Sequence, residues 1–198
     1  MNHQVKITGG KYRGQSINTP GEGTHPMGER ERLALFNMLG DDVKGAYILD
    51  AYAGGGTLGI EALSRGAEHV IFIEKSPKAC KILTENGEKL KIPEGAFPFC
   101  GRVSDFLPTM TDRFDIIFMD PPYDKFEPRM IDELRSVLMW GGKLVVSHPG
   151  DPVEIEGLII LKTAKYARAH LTIYIRNFDD RDDGPTDEDI YYMMHSDD

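Results

Sequence analysis

The sequence predicts an α/β domain built on a mostly parallel β-sheet, and three observations carry that expectation. From residue 46 onward, short β-branched or apolar runs alternate with stretches of helical period, the pattern of strands covered by helices on both faces. Each run is bounded by Gly, Pro, Asp or Asn, residues that end strands and open turns. With 198 residues, 40% of them hydrophobic and 28% charged, the chain is long and apolar enough to bury one substantial core. Disorder throughout is excluded.

Taken in order, Val5-Lys6-Ile7 and Gln15-Ser16-Ile17 flank Gly9-Gly10-Lys11-Tyr12-Arg13-Gly14, which predicts a small glycine-rich hairpin. A Gly- and Pro-rich loop follows over 20–28. Leu33, Phe36 and Leu39 then repeat at helical spacing, so 29–39 is expected as a helix packed on the sheet. Strands are expected near 47–51, 70–74, 96–100, 114–119 and 143–147. Between them, Ala79, Ile82, Leu83 and Leu90 mark a helix over 76–91, with Ser76 as N-cap and Pro77 at the first helical position. Met130, Ile131, Leu134 and Leu138 mark another over 127–138. The runs 157–163 and 169–176 lie close together and are expected to pair as an antiparallel hairpin closing one sheet edge. The expected organisation is therefore an N-terminal extension of hairpin and loop (1–28), a main domain (29–178) and an acidic tail (179–198).

Net charge is −9, yet its distribution matters more than its sum. Residues 179–198 hold nine acids against Arg181, so the tail carries −8 and the body about −1. Within that near-neutral body, 162–176 has Lys162, Lys165, Arg168 and Arg176 and no acid. The stretch 1–32 adds Lys6, Lys11, Arg13, Arg30 and Arg32 against Glu22, Glu29 and Glu31. A nucleic-acid partner is thus compatible with the charge. No run reaches the 18 or more apolar residues of a membrane-spanning helix, and the polar start lacks a secretory layout, so a cytoplasmic protein is expected. Cys80 and Cys100 fall in apolar-periodic segments without metal-ligand spacing; buried reduced thiols are expected, with neither a disulfide nor a metal site.

Three segments carry chemistry. In Ile48-Leu49-Asp50-Ala51-Tyr52-Ala53-Gly54-Gly55-Gly56-Thr57-Leu58-Gly59, a strand runs into glycines and then a helix, which leaves room for a ligand against the helix N-terminus. A dinucleotide fingerprint can be forced onto Gly54, Gly56 and Gly59. Asp50, however, sits four residues before Gly54, where a carboxylate suits a cationic ligand group and would repel a pyrophosphate. Twenty-four residues later, Val70-Ile71-Phe72-Ile73 delivers Glu74, an acid able to accept both hydroxyls of a ribose. Finally, Phe114-Asp115-Ile116-Ile117-Phe118-Met119 delivers Asp120-Pro121-Pro122-Tyr123. The prolines stiffen the loop and donate no N–H, so oxygen acceptors stand at fixed positions while the Tyr123 ring can stack on a flat base.

Asp50, Gly54-x-Gly56, Glu74 and Asp120-Pro-Pro-Tyr together resemble the class I S-adenosylmethionine-dependent methyltransferases that act on amino nitrogens. With Gly9 to Gly14, Arg30-x-Arg32, Leu35 to Leu39, Gly59 to Ala67 and the late Lys165-Tyr166, residues 4–177 are similar to the bacterial 16S ribosomal RNA guanine-N2 methyltransferase (RsmD) family. The resemblance implies a Rossmann-like, seven-stranded sheet with a reversed last strand. It implies S-adenosylmethionine as the donor, held by Asp50, Tyr52, Gly54, Gly56, Glu74 and Lys75. Guanine would be held by Asp120, Pro121, Pro122 and Tyr123, and 16S RNA or the assembling small subunit by Lys11, Arg13, Arg30, Arg32, Lys165 and Arg168. No metal is implied, and a monomer is expected. The chain departs from the family where His25-Pro26-Met27 stands for the usual Arg-Pro-Thr and where Arg102 takes the place of the usual acid or amide near adenine, which leaves the adenine contact unassigned. The rival readings are adenine-N6 methylation of DNA, methylation of a protein glutamine, an NAD-dependent oxidoreductase and a non-catalytic RNA-binding module.

Overall fold

Gly10 has φ +72° and so lies in the left-handed region, and a Cβ there would stand 1.7 Å from the Ser64 carbonyl oxygen. Only glycine fits on both counts. This close approach docks the N-terminal hairpin, β1 (His3–Lys6) and β2 (Ser16–Thr19), which pair antiparallel with Val5 opposite Ile17. The same turn donates Lys11 N–H to the Ser64 carbonyl (2.7 Å) and Tyr12 N–H to the Ser64 hydroxyl (2.8 Å). In the computed structural model, which describes residues 3–21, 27–92, 98–111, 113–166 and 170–177, the hairpin is thus fastened to the main domain through named bonds.

Helix α1 (Glu29–Leu39) has the expected bounds, but it buries Leu35, Phe36 and Leu39 while Leu33 stays 43% exposed. The inward stripe is shifted from the one Leu33 suggested. Next come β3 (Tyr47–Asp50), α2 (Thr57–Ser64), β4 (His69–Glu74), α3 (Pro77–Leu90) and β5 (Pro98–Cys100). The Ser76 hydroxyl accepts the Ala79 N–H, the cap expected for α3. A short α4 (Val103–Phe106), then β6 (Phe114–Met119), α5 (Arg129–Arg135), β7 (Leu138–His148), β8 (Leu158–Lys165) and β9 (His170–Arg176) complete the described elements. α5 is shorter than expected because Leu138 leaves the helix to pair with Phe114 of β6 and so begins β7.

The main sheet has seven strands in the order β5-β4-β3-β6-β7-β9-β8. Every pairing is parallel except those of β9, antiparallel to both neighbours. The final hairpin forms as expected, but β9 is inserted beside β7 and β8 alone makes the edge, with Ile159, Ile160 and Leu161 exposed. Apolar clusters fill both faces: Ile48, Phe72, Phe118 and Val145 look toward α1 and the hairpin, and Leu49, Ile73, Ile117 and Val146 toward the opposite layer. The strand order reverses between β3 and β6, so Asp50, Glu74 and Asp120 end adjacent strands at one carboxyl edge, where open α/β sheets form their ligand crevice.

The cysteines are not free thiols. Cys80 of α3 and Cys100 at the end of β5 form a disulfide, with Cα atoms 6.1 Å apart. Glu74 lies beside Cys100 in the β4–β5 register, and α3 starts three residues after Glu74, so crossover and pairing bring together two cysteines that sequence spacing keeps apart. Among the described residues, no helix is long and apolar enough to cross a membrane.

Candidate active site

The turn between β3 and α2 uses its glycines for different ends. Gly56 caps α2 with φ +84°, and a Cβ there would lie 2.3 Å from the Leu83 side chain; its task is to let α2 pack on α3. It is not itself among the residues lining the cavity, whereas its neighbours Gly54, Gly55 and Thr57 are. Gly54 has φ +55° and nothing within 4 Å of where a Cβ would stand, so its open side faces the cavity. Asp50 is 1% exposed and accepts the Gly59 N–H at 2.9 Å and the Tyr52 N–H, pinning α2 and the turn to the end of β3. Burial raises its pKa to about 7, opposed by the Gly59 bond and assisted by the negative charges of Asp120 and Glu74.

At the end of β4, Glu74 receives Gly54 N–H on one oxygen (2.8 Å) and Ser76 N–H on the other (2.7 Å). Its remaining lone pairs can accept further hydroxyl donors. Lys75 is exposed at the rim and Tyr52 is half-buried. The Tyr52 phenol is pushed up to about 12, first by burial and then by Glu127 and Glu133, so it stays neutral.

Asp120, Pro121, Pro122 and Tyr123 follow β6 and line the same cavity, of about 910 Å³, as Asp50, Gly54 and Glu74. Its volume lies at the upper end of small-molecule sites, roughly 300–1,000 Å³, enough for two flat moieties. Asp120 is only partly exposed to the cavity. Burial raises its pKa to about 6, a hydrogen bond from Ser147 opposes that rise, and Glu31 adds to it. The Tyr123 hydroxyl lies 3.0 Å from Ser147 Oγ.

Sequence reading missed four residues at the site. Thr19 and Pro20 carry the end of β2 to the cavity wall. Asn86 of α3 accepts Asn18 N–H and donates to the Asn18 and Gly55 carbonyls, joining hairpin to glycine turn. Ser147 is buried at the end of β7. Their signal lies in the strand order and the docking of the hairpin, which local spacing does not carry.

The cationic residues divide. Lys11, Arg13 and Arg30 are exposed, as is Lys165, whose ammonium lies 3.7 Å from Asp151; Arg168, His25 and the acidic tail lie outside the described residues. Arg32 corrects its expected place at the RNA surface: it is 1% exposed and donates from its guanidinium to the carbonyls of Met27 and Lys6. Its helical position puts it on the buried face beside Leu35 and Phe36, so it holds α1 to the end of β1. Among the described residues, no cluster of three His, Cys, Asp or Glu could hold a metal ion.

The donor set fits S-adenosylmethionine. Six carboxylates line the cavity, and two of them, Asp50 and Asp120, have raised pKa values, so a cationic ligand is favoured there, and Glu74 offers acceptors beside the open side of Gly54. Residues 5–175 match the family model described as Conserved hypothetical protein 95. YlbH of Bacillus subtilis, provisionally named an rRNA methyltransferase, is 30% identical over 86% of this chain and 98% of its own. Ribosomal RNA small subunit methyltransferase D of Escherichia coli is 36% identical over 71% of this chain and 70% of its own. The solved structure of yhhF from Escherichia coli, provisionally titled a methyltransferase, superposes with a TM-score of 0.80 at 28% identity, covering 88% of this chain and 99% of that one. The chain therefore belongs to the family described as Conserved hypothetical protein 95, the RsmD family of methyltransferases.

Proposed function

We propose that this chain methylates the exocyclic N2 of a guanine in 16S ribosomal RNA, with S-adenosylmethionine as the methyl donor. The single observation that carries the reading is that Asp120 to Tyr123 and Gly54 with Glu74 line one continuous cavity. An acceptor amine at the proline corner and a donor on the glycine turn then share a single enclosure. The Escherichia coli relative is named as a small-subunit ribosomal RNA methyltransferase, which favours RNA over DNA or protein as substrate.

The donor supplies an electrophilic methyl group on a sulfonium, whose sulfur keeps the electron pair of the S–CH3 bond when that bond breaks. Guanine N2 is a poor nucleophile because its lone pair is delocalised into the ring. The Asp120 carboxylate and the Pro121 carbonyl accept from its two hydrogens, and Tyr123 stacks on the ring, so the lone pair is turned toward the methyl carbon. Forming the N–CH3 bond leaves one excess proton on nitrogen, which the Asp120 carboxylate takes up. Orientation of this kind supplies several kcal/mol, more than tuning of one pKa would need to. The target base must leave its stack, which costs a few kcal/mol and favours a nucleotide in a loop.

On this reading Gly54, Glu74, Asp50, Tyr52 and Lys75 surround the donor, with Gly56 acting through the turn. Lys11, Arg13, Arg30, Lys165 and Arg168 meet RNA phosphates, and the protein works in the cytoplasm as a monomer. Residues 1–28 form an extension ahead of the methyltransferase domain of 29–178, and 179–198 the tail. The test is mass spectrometry of ribosomal RNA nucleosides from cells lacking the protein, complemented with wild type or Asp120→Ala. Loss of one N2-methylguanosine, restored by wild type alone, is the expected result. An unchanged nucleoside profile would sink the proposal.

A further inference from the structure

We propose that Ser147 is a positioning residue for the transfer step, its one hydroxyl setting both the carboxylate that holds the acceptor amine and the ring that stacks on the base. The inference rests on the reading of Asp120 and Tyr123 given above and adds to it a residue from a different strand.

The register of the sheet delivers this serine. Met119 pairs with Val146 across the parallel β6 and β7, so the next residue of each strand, Asp120 and Ser147, continue side by side at the carboxyl edge. On its other side Ser147 pairs with Leu171 of β9, which fixes the backbone from both flanks. Ser147 is 2% exposed, and a hydroxyl so buried is expected to use both its donor and its acceptor capacity. Its Oγ lies 3.0 Å from the Tyr123 hydroxyl, and the acceptor that the β6–β7 register sets beside it is the Asp120 carboxylate, whose pKa the serine lowers.

Donor counting fixes the direction of the chain. An ionised carboxylate only accepts, so the Ser147 proton goes to Asp120. Oγ is then left as acceptor for the phenol of Tyr123, which burial keeps protonated. The chain runs Tyr123 O–H to Ser147 Oγ and Ser147 O–H to Asp120. Its two ends are the group that receives from the amine and the ring that fixes the base plane, so a single bridge sets the angle between them. The bond also favours the ionised form of Asp120, the form able to accept an N2 hydrogen. The charged groups around Asp120 are Glu31 from α1 and Asp50 from β3, both of which disfavour its ionisation. Ser147 from β7 is the neighbour that favours it.

Three variants test this: Ser147→Ala, Ser147→Thr, which keeps the hydroxyl, and Asp120→Asn, which identifies the Asp120 signal by its loss. Two readouts are taken, steady-state methylation across pH and the 13C carboxyl NMR titration of Asp120 in the protein without ligands. Ser147→Ala is expected to lower kcat about 10- to 100-fold, the range for a lost hydrogen bond to a charged group. KM for the donor stays within a few-fold, and both the acid limb of kcat and the Asp120 midpoint move to higher pH. Ser147→Thr returns both toward wild type. An Asp120 midpoint unmoved by Ser147→Ala overturns the proposal, as does equal impairment of the alanine and threonine variants, the mark of a packing role. If wild type methylates no guanine, it is the functional reading that fails, and the NMR midpoint still decides the Ser147 contact.

Discussion

Glu74 accepts the Gly54 N–H at 2.8 Å across the crevice between β4 and the glycine turn. The acid expected to hold a ribose is thus also the brace of the loop that would hold the rest of the donor. With its second oxygen on Ser76 N–H at 2.7 Å, it ties the β3–α2 turn to the start of α3. Ligand site and local rigidity share one side chain.

Replacing Glu74 should therefore cost more than one ribose contact. Glu74→Ala leaves two backbone N–H groups without their acceptor, and a hydrogen bond to a charged group is worth about 1.5–3 kcal/mol. Affinity for S-adenosylhomocysteine by calorimetry is expected to fall about 10- to 100-fold or more. RNA binding should hold within about threefold, because Lys11, Arg13 and Arg30 lie on the hairpin and α1. Donor affinity within twofold of wild type would show that Glu74 serves neither purpose.

Arg32 separates structural from RNA-binding cations. Its guanidinium donates to the Met27 and Lys6 carbonyls while Nε, also buried, has no partner. Arg32→Ala unpairs two carbonyls and opens a cavity under α1, so a loss of about 2–4 kcal/mol is expected in urea unfolding. Arg32→Lys should recover little, since one ammonium cannot reproduce the planar fork. Salt dependence of RNA binding measured on the folded fraction should be unchanged. A stable variant with a flatter salt slope would return Arg32 to the RNA surface.

The contrast shows what the sequence could and could not convey. Alternation of apolar runs and helical periods announced the α/β sheet, and acids at strand ends announced Asp50, Glu74 and Asp120, because those signals are local and periodic. Arg32 was misplaced because its charge argues for the surface, whereas its position on α1 beside Leu35 and Phe36 argues for the interior, and packing won. Gly56 carries a second demand that spacing does not show, since its left-handed conformation and closeness to Leu83 let α2 pack on α3. Ser147 and the Cys80–Cys100 pair depend on which strands become neighbours, so they emerge only with the strand order.

Asp50 should couple donor binding to protons. Its pKa, raised to about 7 chiefly by burial, leaves it partly protonated at neutral pH in the free protein. An acid with a raised folded-state pKa binds more protons folded than unfolded, so between pH 4 and 7 its contribution to stability declines as pH rises. A cationic ligand favours the carboxylate and lowers that pKa, so binding releases protons. Calorimetry of S-adenosylmethionine at pH 6.5 in buffers of different ionisation enthalpy is expected to show net proton release. The affinity should rise with pH and level off above about 7. In Asp50→Asn, release should shrink to the smaller share that Asp120, with its pKa of about 6 in the same cavity, still supplies; release equal to wild type would place its source elsewhere.

The exposed cations should show in the salt dependence of RNA binding. Each phosphate contact made by a Lys or Arg contributes about 0.7–0.9 to the slope of log K against log salt, whereas a charge already held by a neighbouring acid contributes less. Arg30→Ala and Lys11→Ala should each flatten the slope by nearly that amount. Lys165 lies 3.7 Å from Asp151, both side chains being largely exposed, so the pair is weak and the lysine remains available to a phosphate. Lys165→Ala should flatten the slope, and Asp151→Ala should instead tighten binding at low salt by freeing the ammonium. If both variants leave slope and affinity unchanged, the edge of β8 plays no part in RNA recognition, and the contact surface is confined to the hairpin and α1.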